Sequence, residues 1–297
     1  MANISEIKTR IKSIRDTGQI TKAMELISVS KMRFAGEAFA QNMAYFMRAK
    51  EVMSDILAHI QGYSHPYLEQ REVKNTVYIV IAGDIGLAGA YNHRVLAFAD
   101  EAIKSKAGAT HVFTIGNMAA EFFKAKGFAP DLAYLYKTQR PQLEDARKIT
   151  EDVITLFADG KADEIRVIYT TSLDGKTCEA QDIRLLPLLY SDFERDDDDI
   201  SGTAAGGSLY EPDANEVCDI LAEQYIVGML YSAMIQSVKC EHQERMQAMH
   251  NATENAGDIL EELSLAFHRA RQTQITTEVT EISSANLMTS ESAKKAK

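Results

Sequence analysis

The residues Gly83-Asp84-Ile85-Gly86-Leu87-Ala88-Gly89-Ala90 are where phosphate chemistry would be sought first. Glycines between a strand and a helix let backbone amides close around an anion. The spacing here is G-x-x-G-x-x-G, which meets neither the dinucleotide fingerprint nor the P-loop, and no Lys-Ser/Thr pair follows it. A tight strand-to-helix turn accounts for the glycines, and an enzyme binding nucleotide through Gly83 to Ala90 stands only as an alternative. The seven histidines are scattered. His242 and His250 are eight residues apart, two helical turns, with no third ligand at metal-site spacing. There is no H-E-x-x-H, no G-x-S-x-G, and no cysteine beside an obvious base. The acidic run Asp192 to Asp199, followed by the glycine-containing Ser201 to Ser208, reads as a solvated loop. No catalytic residue, cofactor site or metal site is therefore expected.

The elements that would carry such residues are dominated by two long helical patterns. From about Asp213 to Met288 no proline interrupts the chain, and Met249, Ala252, Ala256, Ile259, Leu263, Ala266 and Ala270 step by three and four, the seam of a coiled coil. Ile235 and Val238 extend it backwards, with His242 and Arg245 as interruptions. A helix of that length is roughly 110 Å long at about 1.5 Å per residue, so it needs a companion. Ile4, Ile7, Ile11 and Ile14 supply one. A change of phase at Asp16 to Gly18 then leads to Ile20, Met24 and Ile27. The two ends are expected to pair antiparallel.

Between them, His59 to Glu72 reads as a linker. Thr76 to Ala82, His111 to Ile115 and Glu164 to Thr170 read as strands, with helices over about Gly89 to Lys106, Asn117 to Lys126 and Gln142 to Phe157. That alternation predicts a parallel sheet with helices on its faces. Ile183 to Tyr190 is a further strand, pushed to an edge by Pro187. The expected fold is α/β with a long coiled coil: a helix over 1–62, a Rossmann-like α/β domain over 73–208 with the acidic loop near 192–208, a helix over 209–288, and a polar basic tail over 289–297.

Composition narrows the partners. The chain has 297 residues, a net charge of -11 and a pI near 5.2, which argues against nucleic acid. Cys178, Cys218 and Cys240 form no C-x-x-C pair, as expected in a reducing compartment. No run of about 18 apolar residues exists, so no membrane insertion is expected, and the N-terminus lacks the apolar core of a secretory signal. Against the acidic whole, the first 33 residues carry Lys8, Arg10, Lys12, Arg15, Lys22, Lys31 and Arg33, for a local balance of +4. The readings are a solvated coiled-coil face, a surface for an acidic protein partner, or a membrane-surface helix, the last disfavoured by an aliphatic opposite face with no aromatic before Phe34.

Ile20-Thr21-Lys22-Ala23-Met24-Glu25-Leu26 with Ser30-Lys31-Met32-Arg33 closely resembles the N-terminal signature of the gamma subunits of F-type ATP synthases. The other end matches as well, in Arg245-Met246-Gln247-Ala248-Met249, Asn251 to Ala256, Arg269-Ala270-Arg271-Gln272 and Ile275-Thr276-Thr277-Glu278. The resemblance covers essentially the whole chain, least strongly from about 100 to 210. It implies a non-catalytic central shaft, one copy per complex. Its terminal helices would stand inside a ring of alpha and beta subunits, and its α/β domain on the epsilon subunit and the c-subunit ring. Ion-driven rotation would then be coupled to nucleotide affinity at the beta sites. By similarity, Lys22, Met24, Lys31 and Arg33 would meet acidic loops of the beta subunits, and Arg271, Gln272 and Thr276 the catch region of one of them. The expected setting is the cytoplasmic face of a bacterial plasma membrane, since the cysteine-bearing insert of chloroplast relatives is absent. One departure stands out: the family's usual S-D-R-G-L-C-G has Ile85 and Ala88 where arginine and cysteine are usual. A coiled-coil scaffold or tether with an α/β head is the remaining alternative.

Overall fold

The computed structural model describes residues 4–59, 65–106, 108–135, 138–172, 177–193 and 213–295. Most of the expected acidic loop lies outside them. In chain order the elements are α1 (Ile4–His59), β1 (Asn75–Ile81), α2 (Tyr91–Ser105), β2 (Ala109–Ile115), α3 (Asn117–Ala125), β3 (Leu132–Tyr134), α4 (Leu143–Ala158), β4 (Glu164–Thr171), β5 (Glu179–Leu186) and α5 (Ala214–Lys295). α1 has 56 residues and α5 has 82. Neither contains a proline, so nothing removes a backbone donor along its length. α5 runs on through Lys295, into residues the sequence pattern left as a polar tail. The chain divides into two compact units, one of residues 1–27 with 247–297 and the other of residues 28–246.

In the first unit α1 and α5 pair antiparallel. Thr21 Oγ1 and Thr253 Oγ1 are 2.8 Å apart. Glu25 faces His250, with 3.5 Å between carboxylate and ring. A Cβ built on Gly18 would lie 3.4 Å from that of Ala256. As the α1 number rises, the partner's falls.

This pairing corrects the expected seam. On α1 the less exposed positions are Ile4, Ile7, Ile11, Ile14, Gly18, Thr21 and Glu25, an unbroken alternation of threes and fours. There is no change of phase at Asp16 to Gly18. Ile20 and Ile27 instead point outward, 61% and 55% exposed. On α5 the seam uses Met249, Thr253, Ala256, Leu260, Leu263, Phe267 and Ala270, while Ile259 and Ala266 are exposed. The reason is geometric. Small residues at the crossing let the two backbones come close, and a seam held in step by Gly18 and Thr21 leaves the next isoleucine on the wrong face.

The second unit is built on a five-stranded sheet in the order β3-β2-β1-β4-β5. The β3-β2, β2-β1 and β1-β4 pairs are parallel and β4-β5 is antiparallel, so the sheet is mixed. β3 and the antiparallel sense of β5 were not legible in the sequence. β5 also starts four residues earlier than expected and stops before Pro187, which lies beyond the ladder. β1, whose residues after Asn75 are all buried, is the central strand, as its unbroken apolar run requires. One face carries α2 and α3 over Tyr78, Val80, Val112 and Ile168. The other carries α4, Met53 and Ile56 of α1, and Cys218, Ile226, Leu230 and Met234 of α5. Each fully buried aliphatic side chain there contributes about 1.5–3 kcal/mol relative to exposure. α1 and α5 touch directly at Gly228, where a Cβ would meet Phe46 Cδ2 at 3.1 Å, and Phe46 stacks on Tyr225 at 4.6 Å. Asn42 Nδ2 donates to Ser232 Oγ at 2.7 Å beside that contact.

Candidate functional site

The Gly83 to Ala90 loop follows β1, at the carboxyl end of the sheet's parallel strands and beside the β1-β4 point where the strand order reverses. α/β folds bind their ligands in that crevice. In this chain α5 fills it. Gly83 N–H donates to Asn92 Oδ1 at 2.8 Å, and a Cβ on Gly83 would lie 3.0 Å from the carboxylate carbon of Glu241. Asp84 is buried and accepts from the backbone N–H groups of Asn117 (3.0 Å) and Thr138 (3.1 Å). Tyr91 Oη donates to the Ser237 carbonyl at 3.1 Å. Ser237 Oγ accepts from Thr170 N–H at 3.3 Å, and Thr171 bonds Gln236.

Arg245 closes the arrangement. It is only 3% exposed. Its Nη2 donates to the carbonyls of Ile85 (3.2 Å) and Gly86 (3.1 Å) and pairs with Glu241, and its Nη1 donates to His242 Nδ1 at 3.2 Å. Burial raises the Glu241 carboxyl, which Arg245 opposes. Burial, then Arg245 and Lys31, lowers His242 to about 4, so its ring is neutral near pH 7 and free to accept. A carboxylate sits against the glycine where a nucleotide's phosphate would lie, and an arginine from the same helix holds it. Any bound phosphate would have to displace Glu241. The loop is a joint between the α/β body and α5.

Sequence reasoning took His242 and Arg245 for interruptions of an apolar seam. Their signal was the Glu241-Arg245 pair, opposite charges four residues apart in a stretch whose neighbours Ile235 and Val238 are buried. A charge pair in an otherwise buried row points to a buried partner.

The seven residues expected at partner surfaces are distributed over both units. In the first, Lys22 is exposed and pairs with Glu25 at 3.1 Å, while Met24 is half-buried. Arg271, Gln272 and Thr276 are exposed on α5, in a run where every residue from Arg271 to Ser283 is exposed. The register that pairs Thr21 with Thr253 puts Ala270 opposite Ile4, so this run lies past the paired stretch. Lys22 and Arg271 are therefore not brought together: about 20 residues of helix, or roughly 30 Å, separate them. In the second unit Arg33 is exposed and pairs with Glu37 at 3.0 Å. Lys31 lines an open groove of about 810 Å³ with Phe34, Arg140, Leu143, Tyr231 and His242. Among the described residues no group of three or more His, Cys, Asp or Glu side chains could hold a metal ion, and no helix is long and apolar enough to cross a membrane.

Two long helices come from opposite ends of the chain, and a mixed α/β sheet lies between them in sequence. The family model described as ATP synthase matches residues 3–286. The ATP synthase gamma chain of Acetivibrio thermocellus is 36% identical over 288 residues, covering 95% of this chain and 97% of that one. The chain belongs to the ATP synthase gamma-chain family. The gamma chain of Ruminococcus albus is 37% identical, over 97% of this chain and 99% of its own. The fold is shared by a chain of the Euglena gracilis mitochondrial ATP synthase OSCP/F1/c-ring assembly, with a TM-score of 0.66, 16% identity, and coverage of 98% and 95%. It is also shared by a chain of the Tetrahymena thermophila mitochondrial ATP synthase central stalk and c-ring, with a TM-score of 0.58, 19% identity, and coverage of 78% and 99%.

Proposed function

We propose that the chain is the central rotor shaft of a bacterial F-type ATP synthase and contributes no catalytic group of its own. Identity of 36–37% to bacterial gamma chains over 95–97% of this chain carries this reading. The joint at Glu241 and Arg245 supports it: the crevice that an autonomous nucleotide enzyme would need is occupied by the chain's own helix.

In this reading the helices of 1–62 and 209–288 form the shaft and 73–208 the body. Lys22, Met24, Lys31 and Arg33 touch acidic loops of the beta subunits, and Arg271, Gln272 and Thr276 touch the catch region. The body rests on the epsilon subunit and the c ring, at the cytoplasmic face of the membrane. Exposed ion pairs of this kind contribute about 0.2 to 1 kcal/mol each, and contacts that weak let a shaft pass from one beta subunit to the next. Each rotational state then favours different beta conformations, which is how the free energy of ion flow reaches the nucleotide sites.

The deciding experiment is ATP hydrolysis by purified alpha and beta subunits with and without this chain. A stoichiometric complex with chain-dependent turnover, and no turnover by the chain alone, is expected. Failure to form a complex with cognate subunits overturns the assignment.

A further inference from the structure

The chain's own chemistry supplies a second feature at the joint. Cys178, just ahead of β5, and Cys240, on α5, are 62 residues apart in sequence and both buried. They share one small cluster with Ala88 and Tyr91. Cys178 Sγ donates to the Cys240 carbonyl at 4.0 Å. The third cysteine, Cys218, belongs to the separate main core cluster. We propose that Cys178 and Cys240 are a redox-active dithiol, oxidised by peroxide to a disulfide that staples β5 to α5 at the joint.

The two thiols are not equivalent. A hydrogen bond from the Cys240 thiol favours the thiolate of Cys178; burial and then the Glu244 carboxylate oppose it, and Arg94 and Lys239 favour it. The same contact, with burial, pushes Cys240 up. Cys178 is therefore the attacking sulfur and Cys240 the resolving one. In the first step the Cys178 thiolate attacks one oxygen of hydrogen peroxide. The O–O bond breaks, hydroxide leaves and is protonated to water, and Cys178 becomes a sulfenic acid. In the second, the Cys240 sulfur attacks Cys178 and an S–S bond forms. The hydroxyl departs with the Cys240 proton as a second water. Two thiols have lost two electrons and the peroxide has gained them. Peroxide is small enough to enter when the β5-α5 packing opens locally, and the neighbouring thiol captures the sulfenic acid before further oxidation.

The bond would close a loop of about 60 residues, so it would stabilise the second unit chiefly by restricting its unfolded chain. It would also hold α5 in the crevice by a covalent link in addition to the Arg245 clamp. The proposal goes beyond the shaft reading and does not depend on it.

The test is peroxide treatment of the folded full-length chain, followed by quenching, denaturation, alkylation and tryptic digestion without reductant. The expected product joins Thr177–Arg184 to Cys240–Arg245, is two hydrogens lighter than the separate peptides, and disappears on reduction, while Cys218 is recovered alkylated. The oxidised chain should melt several degrees higher than the reduced one. Cys178→Ala should abolish the linked peptide and the melting shift, and Cys218→Ala should leave both in place. Recovery of Cys178 and Cys240 both alkylated, at a peroxide dose that consumes the thiols of the urea-unfolded chain, would overturn the proposal. So would linkage of either to Cys218.

Discussion

The chain holds its long helices in two different ways. In the first unit α1 and α5 meet through small and weakly polar groups: Gly18 against Ala256, Thr21 against Thr253, Glu25 against His250. In the second unit α5 is fixed to the α/β body by buried charges, with Arg245 reaching Glu241, His242 and two loop carbonyls. The seam has many shallow contacts, none of which dominates. The joint concentrates its energy in one guanidinium. The difference teaches where the chain can yield and where it cannot: a seam of glycine and threonine tolerates small readjustment, whereas a buried ion pair tolerates little.

The comparison breaks most directly at Arg245. Arg245→Ala would leave the Glu241 carboxylate buried without its cation and free two loop carbonyls, at a cost of about 3–5 kcal/mol. Chemical denaturation monitored on the α/β unit should show a loss of this size. A loss below about 1 kcal/mol would mean the joint is held by packing alone.

Next in size is the acid response of His242 at the same joint, which Glu241, its carboxyl raised by burial, opposes by taking up a proton in the folded chain. The folded pKa of His242 is about 4, below its usual 6.5, so the unfolded chain binds the extra proton between those values. This contribution is fully present above about pH 6.5 and is lost as pH falls toward 4, by at most about 3 kcal/mol. Thermal melts from pH 7 to 4 should steepen below 6.5, and His242→Gln should flatten that segment. An unchanged profile in the variant would remove His242 from the account.

Much of the fold was legible because apolar periodicity carries it: the terminal helices, β1, β2, β4 and the antiparallel pairing. What was missed was not written in hydrophobicity. Gly18 and Thr21 hold seam positions because they are small, so a count of apolar residues passed over them and chose Ile20. The same count chose Ile259 over Leu260, although both are aliphatic and one residue apart, because only the partner helix decides which faces inward. β3 is three residues long and leans on β2, too short to leave a period. The joint was hidden because Glu241 and Arg245 find their partners about 160 residues away, in a loop whose glycines suggested a ligand. The partner residues were read from resemblance, and the exposure of Lys22, Lys31, Arg33, Arg271, Gln272 and Thr276 is compatible with that use.

The seam offers a finer probe with opposite signs at one position. Gly18→Ala would place its Cβ 3.4 Å from that of Ala256, an ordinary contact, while removing a glycine from a helix interior. It should stabilise the first unit by about 0.5–1 kcal/mol. Gly18→Val would add two methyl groups to the same gap and should destabilise by about 1–3 kcal/mol. Melting of the two variants against the parent decides it, and if both destabilise, the helices are closer than the register implies.

The smallest effect tests the seam assignment itself. Ile20 lies one position before Thr21 and 61% exposed, so Ile20→Ser should change the stability of the chain by no more than about 0.5 kcal/mol. Leu260→Ser, in the seam and half-buried, should cost clearly more. Equal losses would restore the expected phase change and return Ile20 to the interface. A near-zero loss for Ile20→Ser in the free chain, joined to weaker assembly with alpha and beta subunits, would show that this isoleucine is kept apolar for a surface outside the chain. In that case the residue that misled the sequence reading of the seam would belong to a surface turned outside the chain, on the same stretch of α1 as Lys22 and Met24.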